Sequence, residues 1–186
     1  TVAGNPALSA PNARRLEKAL ASLDLMISVD IYLNETTRHA DVILPAPSPL
    51  TRSHYDLSFT GLACRNVATF SRPTLPPEEG SRPQSEVLLQ LAAVVLGGGL
   101  TATDVDDLAA GQLAAQLVAD PQSRVLGRDP QELLDAASAY RLEDRMLDML
   151  LRAGPYGDGL GTHPDGLSLQ VLEDHPHGID LGPLQP

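Results

Sequence analysis

Cysteine is almost missing from this chain: among 186 residues only Cys64 carries a thiol. One thiol excludes an intramolecular disulfide framework and any metal site built from clustered cysteines. Tryptophan is absent and aromatics make up 3% of residues, while hydrophobic residues make up 42%. A core must therefore be assembled from Leu, Val, Ile and Ala. Positive charge is also scarce, with 13 Lys and Arg against 24 Asp and Glu, a net charge of −11 and a pI of about 4.7. A broad nucleic-acid footprint needs clustered positive charge, and so does attraction to an acidic membrane surface. The charge balance argues against both partner classes, although a local basic site for one phosphate-bearing ligand stays open. No apolar run reaches the roughly 18 residues that span a bilayer, so membrane insertion is not expected.

Thr1-Val2-Ala3-Gly4 has neither an initiator Met nor a basic leader, and reads like the end of a buried strand running into a glycine turn. The chain is expected to be an internal piece of a longer cytoplasmic protein. Ser9 is a candidate N-cap, with Pro11 in the first helical turn and Leu16, Ala19, Leu20 and Leu23 at helical spacing. The apolar run Leu25–Val29 ends at Asp30 and reads as a strand covered on both faces. A short polar helical stretch follows, and a second buried run, Val42–Leu44, stops at Pro45. Strand end, helix, strand, short helix, strand is the order of a parallel sheet with crossovers. Residues 45–83 are Pro-rich and irregular, with a short strand possible within Leu62–Phe70. Ser81-Arg82-Pro83-Gln84 resembles a capping box opening a helix that Gly97-Gly98-Gly99 closes.

Beyond residue 100 the spacing predicts a helix over Asp104–Ala119 and another from Asp129-Pro130 to about Leu151. Residues 154–186, rich in Gly, Pro, Asp and His, read as an irregular tail or linker. The fold expected is α/β: a Rossmann-like parallel sheet with flanking helices over 1–99, a helical extension over 100–153, and the tail.

Gly4-Asn5-Pro6 sits where the first strand ends, the edge at which ligands collect in open α/β sheets. Glycine permits close approach of a ligand, and Asn5 offers a donor and an acceptor; the plain alternative is a tight turn. Asp30 follows a buried strand, so its carboxylate can accept from a guanine edge or a ribose, or else cap the next turn. Arg52 near the same edge could neutralise a pyrophosphate, as could Arg65 or Arg72, or each could simply be solvated. Cys64 lacks a CxxC partner, and His163, His175 and His177 lie in the tail without metal-site spacing. His39 and His54 are isolated, Asn34-Glu35-Thr36 is a sequon without secretory context, and Asp104, Asp106 and Asp107 suit a helix start. No catalytic triad, P-loop or paired-carboxylate arrangement can be argued.

The run Ser28-Val29-Asp30-Ile31-Tyr32-Leu33-Asn34-Glu35-Thr36-Thr37-Arg38-His39-Ala40-Asp41-Val42-Ile43-Leu44-Pro45 resembles the signature of the molybdopterin oxidoreductases, the formate dehydrogenase, nitrate reductase and dimethyl sulfoxide reductase relatives. Gly4-Asn5-Pro6 precedes it in the family's order, and Gln84-Ser85-Glu86-Val87-Leu88 follows where the family has Asp-Trp-x-Ile-Leu. The similarity covers roughly residues 1–98. It implies an α/β domain holding the guanosine end of one pterin dinucleotide of a molybdenum bis(molybdopterin guanine dinucleotide) cofactor. Gly4 and Asn5 would then lie at the nucleotide turn, and Val29 and Asp30 where guanine or ribose is read. Arg52 would be the basic residue beside the cofactor, and Gln84 would replace an Asp. The loop after Pro45 departs from the family's Glu-x-x-Gly-x-x-x-Asn pattern, carrying Ser53-His54-Tyr55-Asp56 instead.

The resemblance further implies that the molybdenum ligand, any iron–sulfur cluster and a closing barrel-like domain belong to other parts of a parent enzyme. Those domains and an unidentified electron-transfer protein are the expected partners, and no turnover is expected of this piece alone. A stand-alone nucleotide-binding or cofactor-chaperone module is the alternative, and a helical docking domain over 100–151 is a further one.

Overall fold

The computed structural model describes residues 1–57 and 62–184; residues 58–61 and the last two residues of the tail, Gln185 and Pro186, lie outside the described residues. The N-terminal part is built on parallel pairing. Strand β1 (Ile27–Val29) pairs with β2 (Val42–Leu44), Ile27 opposite Val42 and Val29 opposite Leu44. On the other side of β1, Val2 makes a parallel bridge to Val29. Its bonds run from Val29 N–H to the Thr1 carbonyl at 2.8 Å and from Ala3 N–H to the Val29 carbonyl at 2.9 Å. β1 is thus the central segment, which is why Ser28 and Val29 are buried. Helix α1 (Pro6–Ser9), with Pro at its first position, and α2 (Ala13–Leu20) carry the chain from the first extended segment back to β1. The structure is mixed α/β with a small parallel sheet, and the described residues do not extend that sheet into the broad Rossmann-like one expected.

Three local expectations are corrected here. Ser9 does not cap a helix; it ends α1, and its hydroxyl donates to the Asn5 carbonyl at 3.0 Å. β2 is not buried: Val42 and Ile43 are exposed, because β2 is paired along one edge only. No capping box forms at residues 81–84, since Ser81 donates to the Glu78 carbonyl and Pro83 opens α3 (Gln84–Leu96) without a side-chain cap.

The remaining helices build the larger core. α4 (Ala102–Ala119) starts with a true capping box, Thr101 with Asp104. The single helix expected from residue 129 is two, α5 (Pro130–Ala136) and α6 (Leu142–Ala153). The break lets both pack on α4, where Ala110, Ala114, Val125, Leu133 and Met149 share one buried cluster.

The tail is not irregular. It carries α7 (Leu169–Glu173) and strand β6 (Ile179–Pro183). β6 pairs antiparallel with β4 (Arg65–Ala68), while β3 (His54–Tyr55) pairs with β5 (Phe70–Ser71). Leu167, Leu169 and Leu172 are buried with Ala68 and Phe70 in a second core. The buried carboxylate of Asp148 fastens the tail to α6. It accepts from Leu169 N–H at 2.7 Å and from Arg152 Nε at 2.8 Å, and Arg152 also pairs with Asp158 at 2.5 Å. Composition concealed this, because the tail's order comes from long-range hydrogen bonds and a few leucines, not from periodicity. No helix among the described residues is long and apolar enough to cross a membrane.

Candidate functional site

Parallel pairing decides the site's geometry. The segment through Val2, β1 and β2 all run the same way, so Gly4, Asp30 and Pro45 leave the sheet at one edge. Asp30 N–H still donates to the Leu44 carbonyl at 3.2 Å, fixing the first residue beyond β1 against the tip of β2.

Asn5 and Asp30 are joined at that edge by a polar relay. The Thr36 hydroxyl donates to Asn5 Oδ1 at 2.8 Å, Thr36 N–H donates to Asn34 Oδ1 at 2.9 Å, and Asn34 Nδ2 donates to Asp30 Oδ2 at 3.2 Å. Ala7 N–H donates to the Thr36 hydroxyl at 2.9 Å, tying α1 into the relay. Thr36 and Thr37 are fully buried. Asn5 Nδ2 donates to Glu35 Oε2 at 2.6 Å, and this bond holds the Glu35 carboxyl below its ordinary value. Thr36 and Asn34 were missed as site residues; their signal was the sequon, set aside as a modification motif.

Asp30 does what the plain reading of the sequence allows: its Oδ1 accepts Tyr32 N–H at 3.0 Å. Each carboxylate oxygen takes one protein donor, leaving a lone pair on each for a ligand. Val29 offers a ligand no free N–H, because its N–H donates to the Thr1 carbonyl, and its carbonyl already accepts from Ala3 N–H. Gly4 is not in the left-handed region, and a Cβ there would meet only ordinary contacts. The left-handed residue of this turn is Ala3, with φ of 46°.

Arg52 and Gln84 meet each other: Arg52 Nη1 donates to Gln84 Oε1 at 3.0 Å, joining the end of the 3-10 turn Pro49–Thr51 to the start of α3. Among the described residues no hydrogen bond links this pair to Asn5 or Asp30. Between the tip of β2 and the loop entering α3 lies an open cleft of about 390 Å³, lined by Leu44–Pro47, Glu78–Arg82 and Val87. Ser85, beside Gln84, has a buried hydroxyl with no hydrogen-bond partner among the described residues. Arg65 and Arg72 are exposed and form ion pairs with Asp180 and Glu173.

The side chains are of the kinds that can engage a nucleotide: the Asp30 carboxylate offers acceptors, the amides of Asn5 and Gln84 offer both donors and acceptors, and Arg52 has no ion pair among the described residues. Among the described residues no group of three His, Cys, Asp or Glu side chains is arranged to hold a metal ion.

Short stretches of the chain are similar to oxidoreductase subunits. One of 46 residues is 50% identical to the assimilatory nitrate reductase catalytic subunit of Bacillus subtilis, covering 25% of this chain and 6% of that protein. Another of 95 residues is 36% identical to the F420-dependent formate dehydrogenase subunit alpha of Methanocaldococcus jannaschii, covering 51% of this chain and 13% of that one. A third, of 44 residues, is 52% identical to the F420-dependent formate dehydrogenase 1 subunit alpha of Methanococcus maripaludis, covering 24% and 6%. The chain spans at most about an eighth of the length of these relatives. No family model matches it, and no solved structure matches it.

Proposed function

We propose that this chain is the part of a molybdenum-dependent oxidoreductase that holds the guanosine end of a molybdopterin guanine dinucleotide. The observation that carries the reading is the shared edge, where Asn5 and Asp30 are held in one hydrogen-bonded relay. Similarity to nitrate reductase and formate dehydrogenase subunits supports the same enzyme class. Asp30 accepts from the guanine, Asn5 contacts the nucleotide from the neighbouring tip, and Arg52, oriented by Gln84, meets the pyrophosphate. When bound in a complete enzyme, the molybdenum cofactor supplies two-electron exchange of an oxygen atom or hydride equivalent with a small substrate. This chain binds and orients, and by itself turns nothing over.

Calorimetry of the full chain with GDP tests the reading. Weak binding that Asp30→Ala abolishes is the expected result. Equal heats for both proteins would remove Asp30 from the site.

A further inference from the structure

A second cleft, of about 420 Å³, opens far along the chain from the first, between the loop after α6 and strand β6. Its position was obscured in the sequence by the reading of residues 154–186 as a linker. The loop is tightly built: a Cβ at Gly157 or Gly166 would collide with backbone atoms at 2.2–2.3 Å. Asp158 holds it from within, its Oδ1 accepting Leu160 N–H at 3.0 Å and its Oδ2 paired with Arg152.

Arg124 lines this cleft. Among the described residues seven arginines are ion-paired with carboxylates: Arg38, Arg65, Arg72, Arg82, Arg128, Arg145 and Arg152. Of the remaining cations, Arg14, Arg15, Lys18 and Arg141 are exposed to solvent. Arg52 and Arg124 alone are half-buried without an ion pair among the described residues, and Arg52 belongs to the site above. Arg124 Nη1 donates to the Gly157 carbonyl at 2.5 Å, which fixes the guanidinium but leaves its charge unmatched. In a chain of net charge −11, a part-buried guanidinium without an ion pair among the described residues is available to bind an anion from solution.

The rest of the lining defines that anion. His163 Nδ1 lies 2.9 Å from the Thr162 hydroxyl. Tyr156 accepts from Asn66 Nδ2 at 3.1 Å, leaving its own hydroxyl proton to donate. Asp165 also lines the cleft and forms no ion pair among the described residues, so it opposes a doubly charged ligand. Leu167, Ile179 and Leu181 supply an aliphatic wall.

We propose that this cleft is a binding site for an apolar monocarboxylate, with the carboxylate on Arg124 and the hydrocarbon body against Leu167, Ile179 and Leu181. A single formal charge suits a cleft lined by one guanidinium and one carboxylate, because Asp165 repels a phosphate dianion about twice as strongly as a monocarboxylate. The same chemistry is offered by a free short-chain acid and by a peptide's carboxyl terminus. The site is independent of the nucleotide reading.

Backbone amide NMR of the full chain tests it, with hexanoate, hexanamide, hexyl phosphate and an acetylated Ala-Leu peptide as probes. Saturable shifts at Arg124, Thr162, His163 and Leu167 are expected with hexanoate or the peptide and not with hexanamide. The tighter of the two carboxylates identifies the source. Arg124→Gln should weaken binding by roughly tenfold or more. Asp165→Asn, at an exposed position, should tighten hexanoate roughly threefold and admit hexyl phosphate, a gain that damaged folding cannot mimic. Hexanamide binding as tightly as hexanoate, shifts confined elsewhere, no saturable shift with any probe, or affinity unchanged by both substitutions would each overturn the proposal.

Discussion

Asn5 and Asp30, 25 positions apart in sequence, stand at one edge of a parallel sheet and are joined through the Thr36 hydroxyl and the Asn34 amide. The relay makes the edge a single polar unit. A ligand contacting one end feels a side chain whose rotamer the other end helps to fix.

Thr36→Val keeps the shape of this buried side chain and removes its hydroxyl. Ala7 N–H and Asn5 Oδ1 then lose their partner inside the structure. Loss of about 1–3 kcal/mol of stability is expected in denaturant unfolding. Thr36→Ser, which keeps the oxygen, should recover most of it.

Glu35 reports on the same edge through acid titration. The Asn5 amide donating to its carboxylate lowers its folded value below the ordinary 4.5. The folded state therefore binds fewer protons across that interval, so the pair's contribution is present above about pH 4.5 and is lost as pH falls through the lower folded value. Because Glu35 is exposed, the effect is small. Glu35→Gln should flatten the acid limb of the stability curve, and an unchanged limb would show that the bond is not formed in solution.

Asp148→Asn tests the anchoring of the tail. It removes a buried charge that faces Arg152 and Leu169 N–H. A loss of about 3 kcal/mol is expected, with faster amide exchange concentrated at residues 157–172. Uniform loss of protection across α4 and α5 as well would mean that the tail is not a separately anchored unit.

Tyr140 carries the pH dependence at the alkaline end. Burial, then the negative charge of Glu173, pushes its phenol up to about 12, and its hydroxyl donates to Glu173 Oε2 at 3.2 Å. A raised folded value means that stability is fully present below the ordinary value near 10 and is lost as pH rises through about 12. Tyr140→Phe should delete the latest-titrating step in tyrosinate absorbance, and Glu173→Gln should bring that step to lower pH.

The strand tips were legible because an apolar run stopping at Asp30, and another at Pro45, says where strands end. Their small extent was not legible, since Val42 and Ile43 read the same whether or not a neighbour covers them. The break at 137–141 carries no Gly or Pro; it is set by packing of α5 and α6 on α4, with Leu142 at φ 54°. The tail escaped notice because Leu169 and Leu172 make only one helical step amid Gly, Pro, Asp and His, and the partner that holds Leu169 N–H, Asp148, lies on another helix. At the site, Asn5 and Asp30 were visible from position alone. The Thr36 bridge between them was not, because nothing local reveals which hydroxyl meets which amide.

The most direct measurement of the central claim is a double-mutant cycle on GDP and ADP affinity with Asn5→Ala, Asp30→Asn and both together. Asp30→Asn retains an acceptor for Tyr32 N–H but exchanges a carboxylate for an amide toward guanine. A joint perch predicts that the preference for GDP over ADP falls by roughly tenfold in Asp30→Asn, and that the double mutant loses less than the sum of the single losses. Unchanged preference in Asp30→Asn, together with strictly additive losses, would contradict it.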